Sequence, residues 1–288
     1  MTQTITERLH IVEGSDWKDA IIALLEPESP YRPWRHGFGE AHAGDPVAVL
    51  LNTDPVSVLT RLAYVDDDGD PGCAVVDSPS RAGLVDLTTL AMVLGLQHFL
   101  TDVWKLEGDA AIKMELALNE CICRDSPRDR FGHSSLAAAR TLLKSGGGCD
   151  GCNSDIDLTG PGARDNVHIR TVDPHRRPDP TPPIVTRTDD SQSLSSIRYR
   201  PSLRVQATDW PAVLCRECHE RMRAGEYRSF LDFRFEQHPA CPQCGAGRTR
   251  STFYGMPSAP WNIPPWLNAA GCCVSDESWY CDACHHKW

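Results

Sequence analysis

The first third of the chain alternates short apolar runs with turn-forming residues. Apolar side chains dominate positions 46–51, a turn of Asn, Thr, Asp and Pro follows at 52–55, and a second run covers 56–65 before an Asp/Gly cluster at 66–72. Short β-branched runs bounded by Gly, Asn, Asp and Pro are typical of strands joined by turns. The pattern predicts a small sheet or barrel at the front of the chain.

Helical spacing replaces this pattern further along. Apolar residues recur at intervals of three and four in segments 84–100 and 109–121, which predicts two helices. Ser134 and Ser135 are both suited to cap a third helix that runs to Lys144, and the glycines at 146–148 end it. Helices are therefore expected to lead up to the first cysteine pair.

Residues 174–201 interrupt this succession of regular elements. The segment is rich in Pro, Ser and Arg, and it holds too few apolar residues to form a core element. We expect an extended or disordered insertion, a loop within a domain rather than a domain of its own.

Composition and charge limit the classes of function. The chain has 288 residues, 41% of them apolar, with a formal net charge of −10, which fits globular domains with ordinary cores. Polar residues interrupt its longest apolar segment, and the N-terminus lacks a signal-peptide pattern. We therefore expect a cytoplasmic protein with no membrane partner. Residues 1–123 hold 8 basic and 20 acidic side chains, but residues 124–250 hold 20 and 16, and a basic middle is compatible with local DNA contact.

Eight of the thirteen cysteines form four Cys-x-x-Cys pairs. In a cytosolic chain such pairs indicate metal, because each turn brings two thiolates to one zinc ion at about 2.3 Å. Four pairs predict two structural Zn²⁺ ions, and the economical pairing is Cys149 and Cys152 with Cys215 and Cys218, and Cys241 and Cys244 with Cys281 and Cys284. Most of the remaining five are expected to be buried, inert thiols: Cys73, Cys121, Cys123, Cys272 and Cys273.

A further pattern covers residues 134 to 230. Leu214 precedes the second cysteine pair, and His219 follows that pair directly at the start of a basic helix. Upstream, the first pair precedes the histidine-bearing segment NVHIRTVDPHRRP at 166–178. This arrangement resembles the HNH family of ββα-metal endonucleases. The resemblance implies a zinc-stapled ββα module, a catalytic divalent metal (Mg²⁺, Mn²⁺ or Ni²⁺) and hydrolysis of DNA phosphodiesters.

The resemblance assigns roles to individual residues. His219 matches the downstream ligand of the catalytic metal, and an upstream histidine would deprotonate the attacking water. His168 stands at the strand position of that base, although Val167 precedes it where the family has a carboxylate or an imidazole. The alternative is Asp173 as metal ligand with His175 as base. We favour His168.

Further polar residues fall within the same region. Asp209 lies where the family has its central asparagine and is expected to replace the orienting hydrogen bond of that asparagine. Arg170, Arg176 and Arg177 are candidates for phosphate contact, although a solvated run of charge is the simpler explanation.

The C-terminal segment has its own pattern. It contains CPQCG at 241–245, a Tyr-Gly-Met-Pro turn at 254–257 and the closing sequence WYCDACHHKW. These features resemble a recurring bacterial zinc-ribbon tail, in which two knuckles hold one zinc ion. Trp279 and Trp288 are expected to pack around the knuckle rather than to read a base.

The front segment carries aromatic and basic residues before its Gly-Asp-introduced strands, in YRPWRHGFGEAHAGDPVAVLL at 31–51. It resembles PUA-like domains, including the EVE type, which occur fused to HNH nucleases that restrict modified DNA. Such readers flip a base into an aromatic pocket, for which Trp17, Trp34 and His36 are candidates. A plain structural or dimerising β-domain is an equally good interpretation, and a dimerising domain would make the protein a homodimer.

These features predict an α+β protein in four parts: a β-rich domain at 1–80, a helical connector at 81–133, an HNH-like module at 134–236 and a zinc ribbon at 237–288. The expected activity is metal-dependent DNA cleavage in restriction or defence, modified DNA included. The principal alternative is a non-catalytic zinc protein that binds DNA or protein. A redox protein that cycles its Cys-x-x-Cys thiols is the third.

Overall fold

The computed structural model divides the chain into two compact units. Unit 1 comprises residues 1–172 and 211–227, and unit 2 comprises residues 173–210 and 228–288. The chain therefore leaves unit 1 and later returns to it for one strand and one helix. The residues that the structure describes are 8–26, 34–36, 40–65, 74–76, 79–97, 105–122, 127–176, 184–187, 197–200, 207–255 and 263–288.

An eight-stranded sheet forms the centre of unit 1. Its strands are β1 (Arg8–Gly14), β2 (Trp34–His36), β3 (Pro46–Leu51), β4 (Ser57–Leu59), β5 (Ala63–Val65), β6 (Ala74–Val75), β7 (Leu84–Asp86) and β8 (Lys105–Glu107). The path is β2-β1-β3-β4-β7, with β8 also beside β1, β5 beside β3 and β6 beside β5. β1 and β3 run parallel, which requires the crossover helix between them. The second predicted strand is in fact two, β4 and β5.

The helices of the front half are α1 (Trp17–Leu25), α2 (Leu87–Leu94), α3 (Asp109–Ile122), α4 (Ser135–Ser145) and α5 (Ala163–Asn166). The prediction for α4 is confirmed, because Ser134 Oγ accepts from Ala137 N and Gly146 ends the helix at φ 62°. The helix expected from residue 84 begins three residues later. Asp86 caps it by accepting from Thr89 N at 2.9 Å, which leaves residues 84–86 free to pair as β7.

The apolar core of unit 1 joins this sheet to α2 and α3. Its buried members are Leu9, Ile11, Ala48, Leu50, Val58, Val85, Leu90, Ala111, Met114, Ala117, Leu118 and Cys121. The segment expected to be a helical connector at 81–133 thus supplies two strands of the sheet, β7 and β8, and two helices of its core. The sheet therefore continues past the domain boundary expected at residue 80. The sequence did not reveal this, because pairing between strands that are distant in the sequence leaves no periodic signal.

A two-stranded sheet and a helix complete unit 1. The elements are β9 (His168–Arg170), β12 (Ala212–Leu214) and α6 (Arg216–Ala224), and β9 and β12 are antiparallel. Between them lie β10 (Ile184–Arg187) and β11 (Ile197–Arg200) of unit 2, which pair antiparallel. Within the insertion expected at 174–201, the described residues therefore include a regular strand pair, and residues 177–183 and 188–196 lie outside the described part.

Unit 2 also contains α7 (Phe230–Glu236), β13 (Thr249–Phe253), β14 (Leu267–Ala269) and β15 (Trp279–Cys281). The three strands form a sheet of order β14-β13-β15. Its core is aromatic: the Trp266 ring meets the rings of Trp210 and Phe230 edge-on at centroid distances of 6.0 and 5.5 Å. The expected mixture of helices and sheets is confirmed. Of the helices in the described ranges, none has the length and apolar character needed to cross a membrane.

Candidate metal centres and an imidazole pair

The first cysteine cluster lies within unit 1. The ligand atoms of Cys149, Cys152, Cys215 and Cys218 all lie within 4.8 Å of one another, and the sulfurs of Cys152 and Cys215 are 3.9 Å apart. Tetrahedral zinc with bonds of about 2.3 Å requires sulfurs roughly 3.8 Å apart. The four thiols fit one zinc ion, and the predicted pairing is confirmed.

Three of the four cysteine pairs share one backbone turn. The amide of the first cysteine donates to the carbonyl five residues on, and its carbonyl accepts from the amide four residues on; this occurs at Cys149, Cys241 and Cys281. In each turn the residue four positions after the first cysteine has a left-handed backbone, at Asn153 (φ 61°), Gly245 (φ 74°) and His285 (φ 60°). Asn and Gly adopt this conformation most readily, so the turn is encoded locally.

The remaining pair, Cys215 and Cys218, stands at the beginning of α6. Cys215 is the N-cap residue, and its sulfur accepts from the amide of Cys218 at 3.5 Å. The amide of Cys215 in turn donates to the sulfur of Cys149 at 3.2 Å. The start of α6 therefore places both sulfurs of this pair beside the 149–152 knuckle.

Ionisation differs among the thiols of this cluster. Burial opposes ionisation of Cys152, but hydrogen bonds from Ser154 and the neighbouring thiols outweigh it and lower the pKa to about 7. Burial, followed by the charge of Cys149, raises the pKa of Cys218. Zinc binding must therefore release protons from the less acidic thiols, and affinity for zinc falls as the pH falls.

The second cluster lies within unit 2. The ligand atoms of Cys241, Cys244, Cys281 and Cys284 lie within 4.8 Å of one another, and sulfur distances of 3.6 Å join Cys241 to Cys284 and Cys244 to Cys281. Both pairs are knuckles, and β15 ends at Cys281. This group also fits one zinc ion, so the chain offers two four-cysteine sites, as predicted.

The other cysteines differ from expectation. Cys121 is buried, but Cys272 and Cys273 are exposed because they follow Gly271 in a turn outside the apolar core. Cys73 and Cys123 lie outside the described residues. The prediction that most of these thiols are buried fails for the two adjacent exposed ones.

Two histidines face each other beside the first cluster. His168 lies on β9 opposite Leu214 of β12, and His219 lies in α6 directly after Cys218. Their rings are stacked, with centroids 4.0 Å apart and planes 4° from parallel. Because the register of the strand pair sets this approach, the structure brings together the two residues that we favoured as base and metal ligand.

The environment of His168 favours the neutral ring. Burial is the main cause that lowers its pKa, followed by the positive charges of His219 and Lys18. Its Nε2 atom is buried without a hydrogen-bond partner. A neutral imidazole keeps a free lone pair on one nitrogen, which a general base or a metal ligand requires.

Lys18 fastens α1 to the segment that carries His168, a role that our sequence analysis missed. Its ammonium donates to the carbonyl oxygens of Arg164 and Val167 at 2.7 and 2.8 Å. Arg164 forms ion pairs with Asp16 and Asp19 at 2.9 and 2.7 Å. The sequence gives no sign of these contacts, because nearly 150 residues separate the partners.

Replacing Lys18 by methionine is expected to lower the free energy of unfolding of unit 1 by about 2–4 kcal/mol, since two charged hydrogen bonds are lost and two carbonyls lose their donor. Denaturant unfolding of zinc-loaded protein measures the loss. The control is Lys113→Met, because Lys113 is exposed on α3. Equal stability of both variants would contradict the assigned role.

The alternative catalytic residues lie in unit 2. Asp173 Oδ1 accepts from the amide of His175 at 2.8 Å in a 3-10 turn at Pro174–Arg176, and neither side chain is buried. This hydrogen bond within the turn accounts for the Asp-x-His spacing. His168 and His219, by contrast, come from separate elements of unit 1, and their rings are stacked. The choice of His168 thus has geometric support that the alternative lacks.

Asp209 is buried, with 2% of its surface exposed. Its Oδ1 accepts from the amides of Trp210 and Phe230 at 2.9 and 2.8 Å, and its Oδ2 lies 3.6 Å from the guanidinium of Arg176. The carboxylate thereby holds the beginning of α7. Of the other arginines proposed for phosphate contact, Arg170 is half-buried in β9 and Arg177 lies outside the described residues.

The proposed base pocket is only partly described. Trp17 begins α1, and Trp34 pairs with Gly14 at the end of β1, so β2 runs beside the turn between β1 and α1. Both tryptophans are half-buried. The side chain of His36 lies outside the described part of the structure.

Comparison with known proteins finds no matching protein-family model, and no curated protein or solved structure matches the chain significantly. The function must therefore be argued from the side chains themselves.

Proposed function

We propose that the chain is a metal-dependent DNA endonuclease of the HNH, ββα-metal type. The observation that carries the proposal is the stacked pair His168 and His219, 4.0 Å apart, on an antiparallel strand pair and the helix that follows it. The four-cysteine cluster of unit 1 joins that helix to the knuckle that precedes β9. The order of elements and the position of both histidines match what the family resemblance implies.

The two imidazoles fit the chemistry of such a site. His219 would hold the divalent ion, and the unpartnered, buried Nε2 of His168 leaves that ring able to accept a proton from the attacking water. The ion, when bound, polarises the scissile phosphate and stabilises the leaving oxygen. Lys18 and Arg164 keep the residues before His168 in place, which limits the movement of the base.

DNA is the proposed partner because the middle of the chain is basic although the whole carries a net charge of −10. We place the activity in restriction or defence within the cytoplasm, with modified bases as targets of a PUA-like front that uses Trp17, Trp34 and His36.

For the oligomeric state we propose a homodimer that forms through the β-rich front. The C-terminal region with the second cysteine cluster is proposed to be a zinc ribbon that docks on DNA or a protein.

A non-catalytic zinc protein that binds DNA or protein is the second candidate. It is favoured by one observation: among the described residues, the two four-cysteine clusters are the only groups in which three or more metal-ligating side chains converge. Val167 precedes His168 in place of a carboxylate or imidazole, so a catalytic ion held by His219 would rely on water and substrate for its other ligands.

The deciding experiment is cleavage of plasmid and modified phage DNA by purified protein in Mg²⁺, Mn²⁺ or Ni²⁺. We expect the wild-type chain to nick or linearise at least one substrate, and His219→Ala or His168→Ala to reduce the rate at least about 100-fold. His42→Ala is the matched control, because His42 is a 79% exposed histidine of unit 1. The His42→Ala protein should cut DNA at the wild-type rate.

If every substrate stays intact with wild-type protein, the enzymatic proposal fails and the binding protein takes its place. Cleavage that is indifferent to base modification would remove only the modified-base role. Metal analysis separates the redox alternative, since thiols that cycle as disulfides would leave the purified chain without tightly bound zinc.

A further inference from the structure

Unit 2 contains an open cleft lined mainly by polar and charged side chains. Its volume is about 690 Å³. Four segments form it: the turn at Pro174–Arg176, the two residues before Asp209, the beginning of α7 and the residue before β13. The lining residues are Arg176, Ala207, Thr208, Arg228, Ser229, Asp232 and Arg248. None of them belongs to the proposed histidine pair, and Arg176 is one of the arginines that the sequence analysis named for phosphate contact.

Two of the three arginines are held in place by carboxylates. Arg248 forms an ion pair with Asp232, and its guanidinium lies over the ring of Phe235 at 5.4 Å from the centroid. Arg176 lies 3.6 Å from the buried carboxylate of Asp209. Both are at least half exposed, at 58% and 51%, so their guanidinium groups keep donors available to a ligand while their positions are restrained.

The third arginine supplies the uncompensated charge. Arg228 is exposed and forms no ion pair with a carboxylate among the residues that the structure describes. With Asp232 and Asp209 balanced by their partners, the cleft carries a net positive charge although the whole chain is acidic. Hydroxyl groups of Thr208 and Ser229 add neutral polar atoms to its wall.

We propose that this cleft binds the phosphodiester backbone of duplex DNA, a site separate from the histidine pair; the inference rests on the proposed function for its choice of DNA as ligand. A guanidinium presents parallel N–H donors that match phosphate oxygens, and arginines fixed by carboxylates lose little freedom on binding. The exposure of Thr208, Arg228 and Arg248 leaves room for a polymer to pass. Contacts of this kind anchor the duplex and do not read its sequence.

The test measures binding of a fluorescein-labelled 20-base-pair duplex without divalent metal, so that no cleavage is required. Arg228→Ala is expected to weaken binding roughly 5- to 10-fold at about 0.1 M salt and to reduce the slope of log K against log salt by about one. Arg228→Lys should restore the slope. Lys113→Ala is the matched control, since Lys113 is an exposed cation on α3 of unit 1 outside the cleft and should bind like wild type.

The outcomes separate this inference from the proposed function. If wild type binds and cuts DNA and Arg228→Ala changes neither affinity nor salt slope, the cleft is not a DNA site while the nuclease stands. If Arg228→Ala weakens binding but no metal supports cleavage, the cleft stands and the nuclease fails. If inorganic phosphate at constant ionic strength displaces the duplex completely, the cleft is a single-phosphate site and the backbone proposal is overturned.

Discussion

Replacing Cys218 by serine is expected to lower the zinc content from two ions to one and to unfold β9, β12 and α6 of unit 1. Cys218 is buried and completes the cluster that joins the 149–152 knuckle to the start of α6. Structural zinc contributes on the order of 10 kcal/mol to folding, more than most domains have in reserve. His219 is the next residue in α6, so any DNA cleavage should be lost with the zinc.

Metal analysis by mass spectrometry, combined with limited proteolysis, measures this effect. Cys281→Ser is the matching variant in the cluster of unit 2. This variant should lose the other zinc ion and leave β9, β12 and α6 resistant to protease. Cys272→Ser replaces an exposed thiol outside both clusters and should retain two ions. A Cys218→Ser protein that keeps both ions and its folded unit 1 would refute the assignment of the cluster.

Replacing Asp209 by alanine is expected to lower the free energy of unfolding of unit 2 by about 2–5 kcal/mol. Its Oδ1 accepts from two backbone amides, and Trp210 and Phe230, which supply them, are almost fully buried. Each buried amide left without an acceptor costs about 1–3 kcal/mol. Tryptophan fluorescence during denaturant unfolding follows the loss, because Trp210 and Trp266 lie in the core of this unit.

Two variants serve as controls for Asp209. Asp209→Asn keeps an acceptor oxygen and should lose less stability than Asp209→Ala. Asp173→Ala removes an exposed carboxylate of the same unit and should cost under about 1 kcal/mol. If Asp209→Ala left stability unchanged but abolished cleavage, the orienting role suggested by the family resemblance would replace the structural one.

The two zinc clusters close the chain over very different distances. In unit 1, 62 residues separate Cys152 from Cys215, and within that span the chain passes through unit 2. A zinc ion there would tie the returning strand β12 and helix α6 to the knuckle before β9. In unit 2 the cluster joins the knuckle before β13 to the end of β15, which is the neighbour of β13 in the sheet. Loss of the first cluster should therefore disrupt more distant contacts than loss of the second.

Local chemistry explains why several features could be predicted from the sequence. A capping serine and a glycine just past the helix C-terminus fix α4 from Ser135 to Ser145, and both signals lie within a few residues of the backbone groups that they satisfy. The knuckle turns are equally local, because Asn153 and Gly245 tolerate the left-handed backbone that the turn requires. The number of zinc sites and their ligands followed from these turns.

Contacts between distant segments decided the rest. His168 was favoured over His175 on a family resemblance, but its stacking on His219 depends on the register of β9 against β12. The bond of Lys18 to Val167 and that of Asp209 to Phe230 join residues that share no local pattern. Likewise, the addition of β8 to the front sheet came only from tertiary structure.

The sequence by itself predicted the turns of the four cysteine pairs and the two sets of four cysteines that could each hold a zinc ion. Tertiary structure alone decided that a single sheet extends to residue 107, that Asp209 holds a helix, and that three arginines line one cleft. The physical reason is that turns and caps satisfy backbone groups within a few residues, whereas strand neighbours and buried ion pairs depend on how the whole chain packs.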